Sequence, residues 1–346
     1  MNYIGSKLSL IDFLDESIHE VTSEIIKSKK DIVFADGFAG TGIVGVHFKK
    51  LGYSVLSNDV QFYSYARNKH LIENCYDDLN MEKIKWIMIE LNALDLKPGF
   101  ISRNYAIFGT KGKTFERMYF TDNNALRIDT YRKYIEELKT NGRINEQEYF
   151  FLISSLVESA DKVANTASVY GAYLKKYKKS ALNDLKFNLL DVYDFCNHNN
   201  SATNMKIEDW IMEVEGDILY LDPPYNQRQY GTNYHMLETI AKYDDPVIKG
   251  KTGLREYSDV KSDWCSKSKV EKVFEELISK AKFKFVFLSY NNEGLMSLET
   301  IEKIMEKYGD YELKKKEYRR FKADKTENRN HKANSTFEYL HCLTKK

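Results

Sequence analysis

Residues 31 to 59 constrain the fold of this chain more than any other stretch. Asp31-Ile-Val-Phe-Ala35 is a short apolar run, and Asp36-Gly37-Phe38-Ala39-Gly40-Thr41-Gly42-Ile43-Val44-Gly45 is a turn crowded with glycine. Val44, Val46, Phe48 and Leu51 then follow a helical pattern, and Tyr53 to Ser57 is a second apolar run that ends in Asn58-Asp59. Strand, tight turn, helix and strand make a βαβ unit, which joins parallel strands by a right-handed crossover. Parallel strands are covered on both faces, so the expected architecture is a layered α/β sheet.

In such a sheet ligands lie beyond the carboxyl ends of the strands. Gly40-x-Gly42-x-x-Gly45 matches the dinucleotide fingerprint, and Asp59 stands roughly 20 residues on, where that fingerprint puts a ribose-binding acid. One reading is therefore a nicotinamide-dependent oxidoreductase. Asp36 speaks against it, because a carboxylate at the tip of the first strand repels a pyrophosphate lying in the turn. S-Adenosylmethionine suits the same residues better. It has no phosphate, carries an ammonium and a sulfonium, and offers its ribose diol to Asp59. Glycine at 40 and 42 lets the backbone approach such a ligand closely.

A second stretch carries chemistry. Asp217 to Leu221 reads as a buried strand bounded by Gly216, and Asp222-Pro223-Pro224-Tyr225 follows at its carboxyl end. The chain has 4 prolines, so two in a row here mark a deliberate stiff turn. The turn presents a carboxylate, carbonyl oxygens that no helix has claimed, and an aromatic face. These suit methyl transfer to an exocyclic amine such as adenine N6, whose lone pair is delocalised into its ring. Acceptors on both amine hydrogens, the Asp222 carboxylate and the Pro223 carbonyl, draw that nitrogen towards a tetrahedral, nucleophilic geometry. Tyr225 would stack on the base, which a duplex must first flip out.

The remaining segments set the frame. Lys7 precedes an amphipathic pattern of Leu8, Ile11, Leu14, Ile18 and Val21. Helical patterns cover 61–74 and 81–94, and Lys97-Pro98-Gly99 then breaks the chain. Residues 101–184 read as an inserted, mainly helical module with helices at 124–140 and 146–164, a candidate region for recognising a DNA target. Its end interleaves Tyr170, Tyr173 and Tyr177 with Lys175, Lys176, Lys178 and Lys179, a composition suited to phosphate contacts and stacking. The sheet pattern resumes at 185–190 and ends at Asp191. Helices are expected at 234–243, 269–281 and 298–308, a strand at 283–289, and a closing antiparallel pair at 311–321 and 335–343.

With 346 residues and a formal net charge of +1, no global basic field announces nucleic acid, so any such binding rests on local patches. The four cysteines, Cys75, Cys196, Cys265 and Cys342, show neither zinc-ligand spacing nor a disulfide framework, which favours a reducing, cytoplasmic setting. No metal is expected. No uncharged apolar run reaches membrane-spanning length, and charges at Asp12, Asp15 and Glu16 argue against a signal peptide.

Asn-Tyr-x-Gly-Ser-Lys at 2 to 7, Asp-Gly-Phe-Ala-Gly-Thr-Gly at 36 to 42, Asn58-Asp59 and Asp-Pro-Pro-Tyr at 222 to 225 stand in the order of the Dam-like DNA adenine-N6 methyltransferases, which this chain resembles. The resemblance implies a Rossmann-like class I methyltransferase fold, a seven-stranded, mostly parallel sheet with a reversed last strand, built from 1–100 and 185–346. It implies that Tyr3 and Lys7 help hold S-adenosylmethionine, that Asp36 and Phe38 line its methionine end, that Asp59 takes the ribose hydroxyls, and that Asp191 lies near its adenine. Asp222, Pro223 and Tyr225 would form the catalytic loop. The implied partner is double-stranded DNA, with a cognate restriction endonuclease as a possible second one. Two departures stand out. Gly37 replaces the usual apolar residue after the acid, and the insert precedes Asp191, which leaves 226–268 as a rival recognition region. RNA or a protein amide remains an alternative acceptor, and a catalytically silent DNA-binding module a further alternative.

Overall fold

The computed structural model describes residues 6–193, 195, 197, 199–319 and 335–346. The chain divides into two compact units. One, the sheet unit, comprises Gly5–Val60, Asn197–Gln229 and Val260–Lys346; the other, the helical unit, comprises Met1–Ile4, Gln61–Cys196 and Tyr230–Asp259. The helical unit thus begins before the expected insert and also takes in a segment beyond residue 229.

The sheet unit holds strands β1 (Val33–Asp36), β2 (Ser54–Asn58), β3 (Ser201–Thr203), β4 (Glu215–Leu221), β5 (Lys282–Asn291), β6 (Gly309–Arg319) and β7 (Ser335–Lys345). They lie in the order β3-β2-β1-β4-β5-β7-β6. The first five run parallel, and β7 is antiparallel to both of its neighbours, β5 and β6. This is the mostly parallel sheet with a reversed last strand that the motifs lead one to expect. Its central strands are apolar on both faces because both are covered. Ala35, Leu219 and Leu221 face a core with Trp210, Trp264 and Phe274. On the opposite face Phe34 stacks on Phe48 of the helix Ile43–Lys50, with ring centres 3.8 Å apart. Each such buried side chain contributes roughly 1.5–3 kcal/mol.

The helical unit is built around Glu146–Lys162, whose residues from Glu148 to Ala160 are all buried. Its start is set by a reciprocal cap. The Asn145 side chain accepts the Glu148 N–H at 2.8 Å, and the Glu148 carboxylate accepts the Asn145 N–H at 2.9 Å. The helix Asp122–Thr140 packs beside it and begins at Thr121, whose hydroxyl accepts the Asn124 N–H. Phe62–Asn68, Met81–Ala93 and His235–Lys242 complete the main helices. No helix among the described residues is long and apolar enough to cross a membrane.

Three local expectations are corrected. Residues 185–190 form no strand, because their backbone is claimed by helix side chains. Leu185 N–H donates to Asn124 Oδ1, Asn188 N–H to Ser159 Oγ and Leu190 N–H to Ser155 Oγ. The edge of the sheet is instead the short β3, in which only Ala202 is buried. In the Tyr/Lys segment the tyrosines turn inward. The Tyr170 hydroxyl donates to Asp161, that of Tyr173 to the Glu116 carbonyl and that of Tyr177 to the Phe120 carbonyl. Tyr170 is wholly buried in the helical core, whereas Tyr173 and Tyr177 are half-buried with their hydroxyls on backbone carbonyls. Cysteine usage also differs. Cys265 and Cys342 are free and buried, but Cys75 is disulfide-bonded. Such pairing depends on how closely two Cα atoms approach in the fold, which sequence spacing does not give.

Candidate active site

β4 pairs with β1 on one side and β5 on the other, and alternation along it sends Ile218, Tyr220 and Asp222 to one face. Asp222 is the first residue beyond the strand. The two prolines that follow offer no N–H with which to continue a ladder. Among the described residues no donor takes the Pro223 carbonyl oxygen. One carboxylate oxygen of Asp222, Oδ1, accepts from Lys7 Nζ at 2.8 Å, and its side chain is 19 % exposed, so its second oxygen remains reachable. Lys7 is buried, and it also lies 3.3 Å from Glu338 Oε1. Burial opposes the lysine charge, yet Asp222, Glu338 and Tyr220 around it prevail and hold its pKa well above the ordinary value. Asp222 is pushed up to about 6, chiefly by burial, with Lys7 opposing and Glu338 adding.

One strand over, Asp36 ends β1 opposite Tyr220 in the sheet register. It is 1 % exposed, and its Oδ1 has no hydrogen-bond partner. Burial, and next the charge of Asp222, raise its carboxyl to about 8, while the Phe38 amide works against them. The turn after it takes left-handed backbone at Gly40 (φ 51°) and Gly42 (φ 77°), a conformation that favours glycine. Asp59 Oδ2 accepts the Gly40 N–H at 2.8 Å, so this acid at the tip of β2 also fastens the turn. Phe38 is half-buried, its ring edge-on to Trp264 at 5.2 Å. The glycine at 37 has a packing cause. A Cβ there would sit 2.8 Å from Ile207 Cδ1, which already fills the space that an apolar side chain would need.

Tyr225 is half-buried, braced edge-on against Tyr290 at 6.5 Å, and its carbonyl accepts the Leu295 N–H. The sheet unit therefore brings Lys7, Asp36, Phe38, Gly40, Gly42, Asp59, Asp222, Pro223 and Tyr225 to one carboxyl edge. Asp191 belongs to the helical unit instead. Its side chain is exposed on an irregular segment, and its carbonyl lies 2.9 Å from His70 Nε2. Tyr3 falls outside the described residues.

Glu338 and Ser289 are the site residues that sequence reasoning missed. Glu338 is 3 % exposed on β7, and its Oε1 accepts the Ser289 hydroxyl at 2.6 Å. A signal was present: alternation along β7 puts residue 338 on the same side as the apolar Leu340, where a carboxylate is out of place.

The sheet, with its reversed last strand and its acids at the carboxyl edge, defines a Rossmann-like class I methyltransferase. A sequence model for the D12 class N6 adenine-specific DNA methyltransferases matches residues 3–304, and the chain belongs to that family. It is 51 % identical over 345 residues to the Type II methyltransferase M.NlaIII of Neisseria lactamica, covering 100 % of this chain and 99 % of that protein. It is 37 % identical over 331 residues to the Type II methyltransferase M.CviAII of Paramecium bursaria Chlorella virus 1, covering 93 % of each. Against the Type II methyltransferase M.FokI of Planomicrobium okeanokoites the identity is 42 % over 353 residues, all of this chain but 53 % of that protein. Adenine-specific methylation of DNA, read from the motifs, is thereby borne out, and the oxidoreductase reading is set aside.

Proposed function

We propose that this chain methylates N6 of an adenine flipped out of duplex DNA, using S-adenosylmethionine, as the modification half of a restriction-modification pair. The observation that carries the reading is the pair of acids at the sheet edge. Asp36 has a buried oxygen with no partner, and Asp222 has one oxygen fixed by Lys7 and the other reachable. A buried acceptor without a donor fits the ammonium of the cofactor's methionine end, and the glycine turn fits close approach of its chain. Phe38 and Asp59 would flank it towards the ribose, with Lys7 held beside them on Asp222. When bound, the cofactor supplies an electrophilic methyl on a sulfonium.

The protein's own part is to make a poor nucleophile competent. Asp222 accepts one N6 hydrogen and the Pro223 carbonyl the other, so the lone pair is directed away from the ring. Tyr225 stacks on the extruded base. As N6 takes the methyl that the bound cofactor would supply, Asp222 would receive the proton that N6 gives up. A carboxyl near 6 can accept that proton and return it to water at neutral pH.

For the DNA itself we assign the helical unit, and within it one surface made by two distant segments. Buried Arg117 donates to the carbonyls of Asn104, Gly250 and Lys251, and Tyr105 donates to that of Gly253. The stretch from Asn104 to Arg117, which includes the short helix Ile107–Thr110, and the hairpin 248–255 are thus tied together, which joins the two rival recognition regions. It exposes Arg103, Lys111, Lys113 and Lys251, none in an ion pair among the described residues, together with Phe108 and Phe115. Cations of this kind meet phosphates, and the rings supply apolar contacts to bases.

Asp222→Ala tests the reading. Transfer of labelled methyl to duplex DNA should fall by at least about a thousandfold, while S-adenosylmethionine affinity measured by calorimetry stays within a few-fold of wild type. Near-normal turnover in this variant would overturn the mechanism.

A further inference from the structure

β7 carries Glu338 on its buried side, where a carboxylate faces a large desolvation cost. Lys7 and Asp222 would by themselves form a neutral pair, which is easier to bury than a cation with two anions. Glu338 adds a second negative charge to the cluster and so repels Asp222. No need of the fold explains it, since Leu340 on the same side of β7 is simply apolar. Its own contacts are well built: the Ser289 hydroxyl donates to Oε1 at 2.6 Å, and Lys7 Nζ stands 3.3 Å from the same oxygen.

We propose that Glu338 is a positioning residue for methyl transfer, holding the Lys7 ammonium on one oxygen of Asp222 and keeping Asp222 a strong acceptor for the amine hydrogen. The proposal rests on Asp222 being the acceptor in the reaction described above. Lys7 alone would stabilise the Asp222 anion and so weaken it as a base. The opposing charge of Glu338 restores that basicity without competing for the reachable oxygen. Among the described residues, the charged or titratable groups that act on or with Asp222 are Lys7 from the N-terminal segment, Glu338 from β7, Tyr220 from β4, Asp36 from β1, and Tyr225 from the loop. Of these Lys7 pulls the Asp222 carboxyl down and Glu338 pushes it up.

Glu338→Gln keeps the shape and the Ser289 contact while removing the charge. In a carboxyl-carbon NMR titration of the whole protein with labelled aspartate, the Asp222 midpoint should drop by roughly half a pH unit or more. The acid limb of the single-turnover methylation rate should move the same way, and the plateau rate should fall several-fold at unchanged melting temperature and cofactor affinity. Glu338→Asp keeps the charge but withdraws it from Lys7, so its midpoint should stay near wild type while its plateau rate falls. An Asp222 midpoint unmoved in Glu338→Gln, or a wild-type plateau in Glu338→Asp, overturns the proposal. Wild-type protein that moves no methyl to DNA would refute the reaction instead, and the titration would still judge Glu338.

Discussion

In the proposed reaction Asp36 would set cofactor binding against stability within a single side chain. Its carboxyl is raised to about 8 in the fold, from an unfolded value of about 3.9, so between those limits the folded chain keeps a proton that the unfolded chain releases. The associated stabilisation is fully present below about 4 and is lost as the pH rises through 8. Asp222 acts in the same sense up to about 6. Asp36→Asn removes the charge and nearly preserves the shape. Its melting temperature is expected to exceed that of wild type by several degrees at pH 8.5 and to converge on it at pH 5, while cofactor affinity falls by about tenfold or more. A variant that melts below wild type at pH 8.5 would mean that the carboxylate is satisfied in the folded protein after all. Asp36 and Asp222 were legible in the sequence because each ends an apolar run next to a glycine or proline turn. For Glu338 the alternation of β7 could show only that it is buried, not what it meets, since its partners Ser289 and Lys7 are 49 and 331 residues away and reach it only through the sheet register.

At the scale of elements, most helices and strands follow from periodicity and caps. The exceptions share a cause: local pattern is overridden where a neighbouring element offers better partners. Residues 185–190 have the apolar content of a strand, but three helix side chains, Asn124, Ser155 and Ser159, supply their hydrogen bonds. The hairpin 248–255 is held from outside in the same way. Its own ladder is only two residues long on each side, and the Arg117 guanidinium and the Tyr105 hydroxyl make up the difference. Arg117→Ala would strip the donor from three carbonyls, each a loss of about 1–3 kcal/mol where water cannot replace it. Amide exchange at Gly253 should then speed up markedly, and the KM for DNA should rise more than kcat falls. Unchanged exchange across 248–255 would show that the hairpin holds itself.

At the scale of the whole molecule, a chain with net charge of +1 must concentrate its attraction for DNA. Replacing Lys111, Lys113 and Lys251 together with glutamine should weaken DNA binding and flatten the dependence of log affinity on log salt by about 0.9 for each phosphate that is no longer neutralised. An unaltered slope would move the DNA surface elsewhere. The sheet class, the glycine turn and the acidic loop after β4 were determined by the sequence alone, because each is a contiguous pattern whose physics is local: apolar runs make buried strands, glycine permits left-handed turns, and paired prolines stiffen an exit. Which distant residues share a site was decided only by the tertiary structure. Glu338 beside Lys7, the arginine that ties Asn104 to the 248–255 hairpin, and the tyrosine hydroxyls that turn onto Asp161 and backbone carbonyls all arise from packing between elements far apart in the chain, where the need to satisfy buried charges and carbonyls outweighs any local preference.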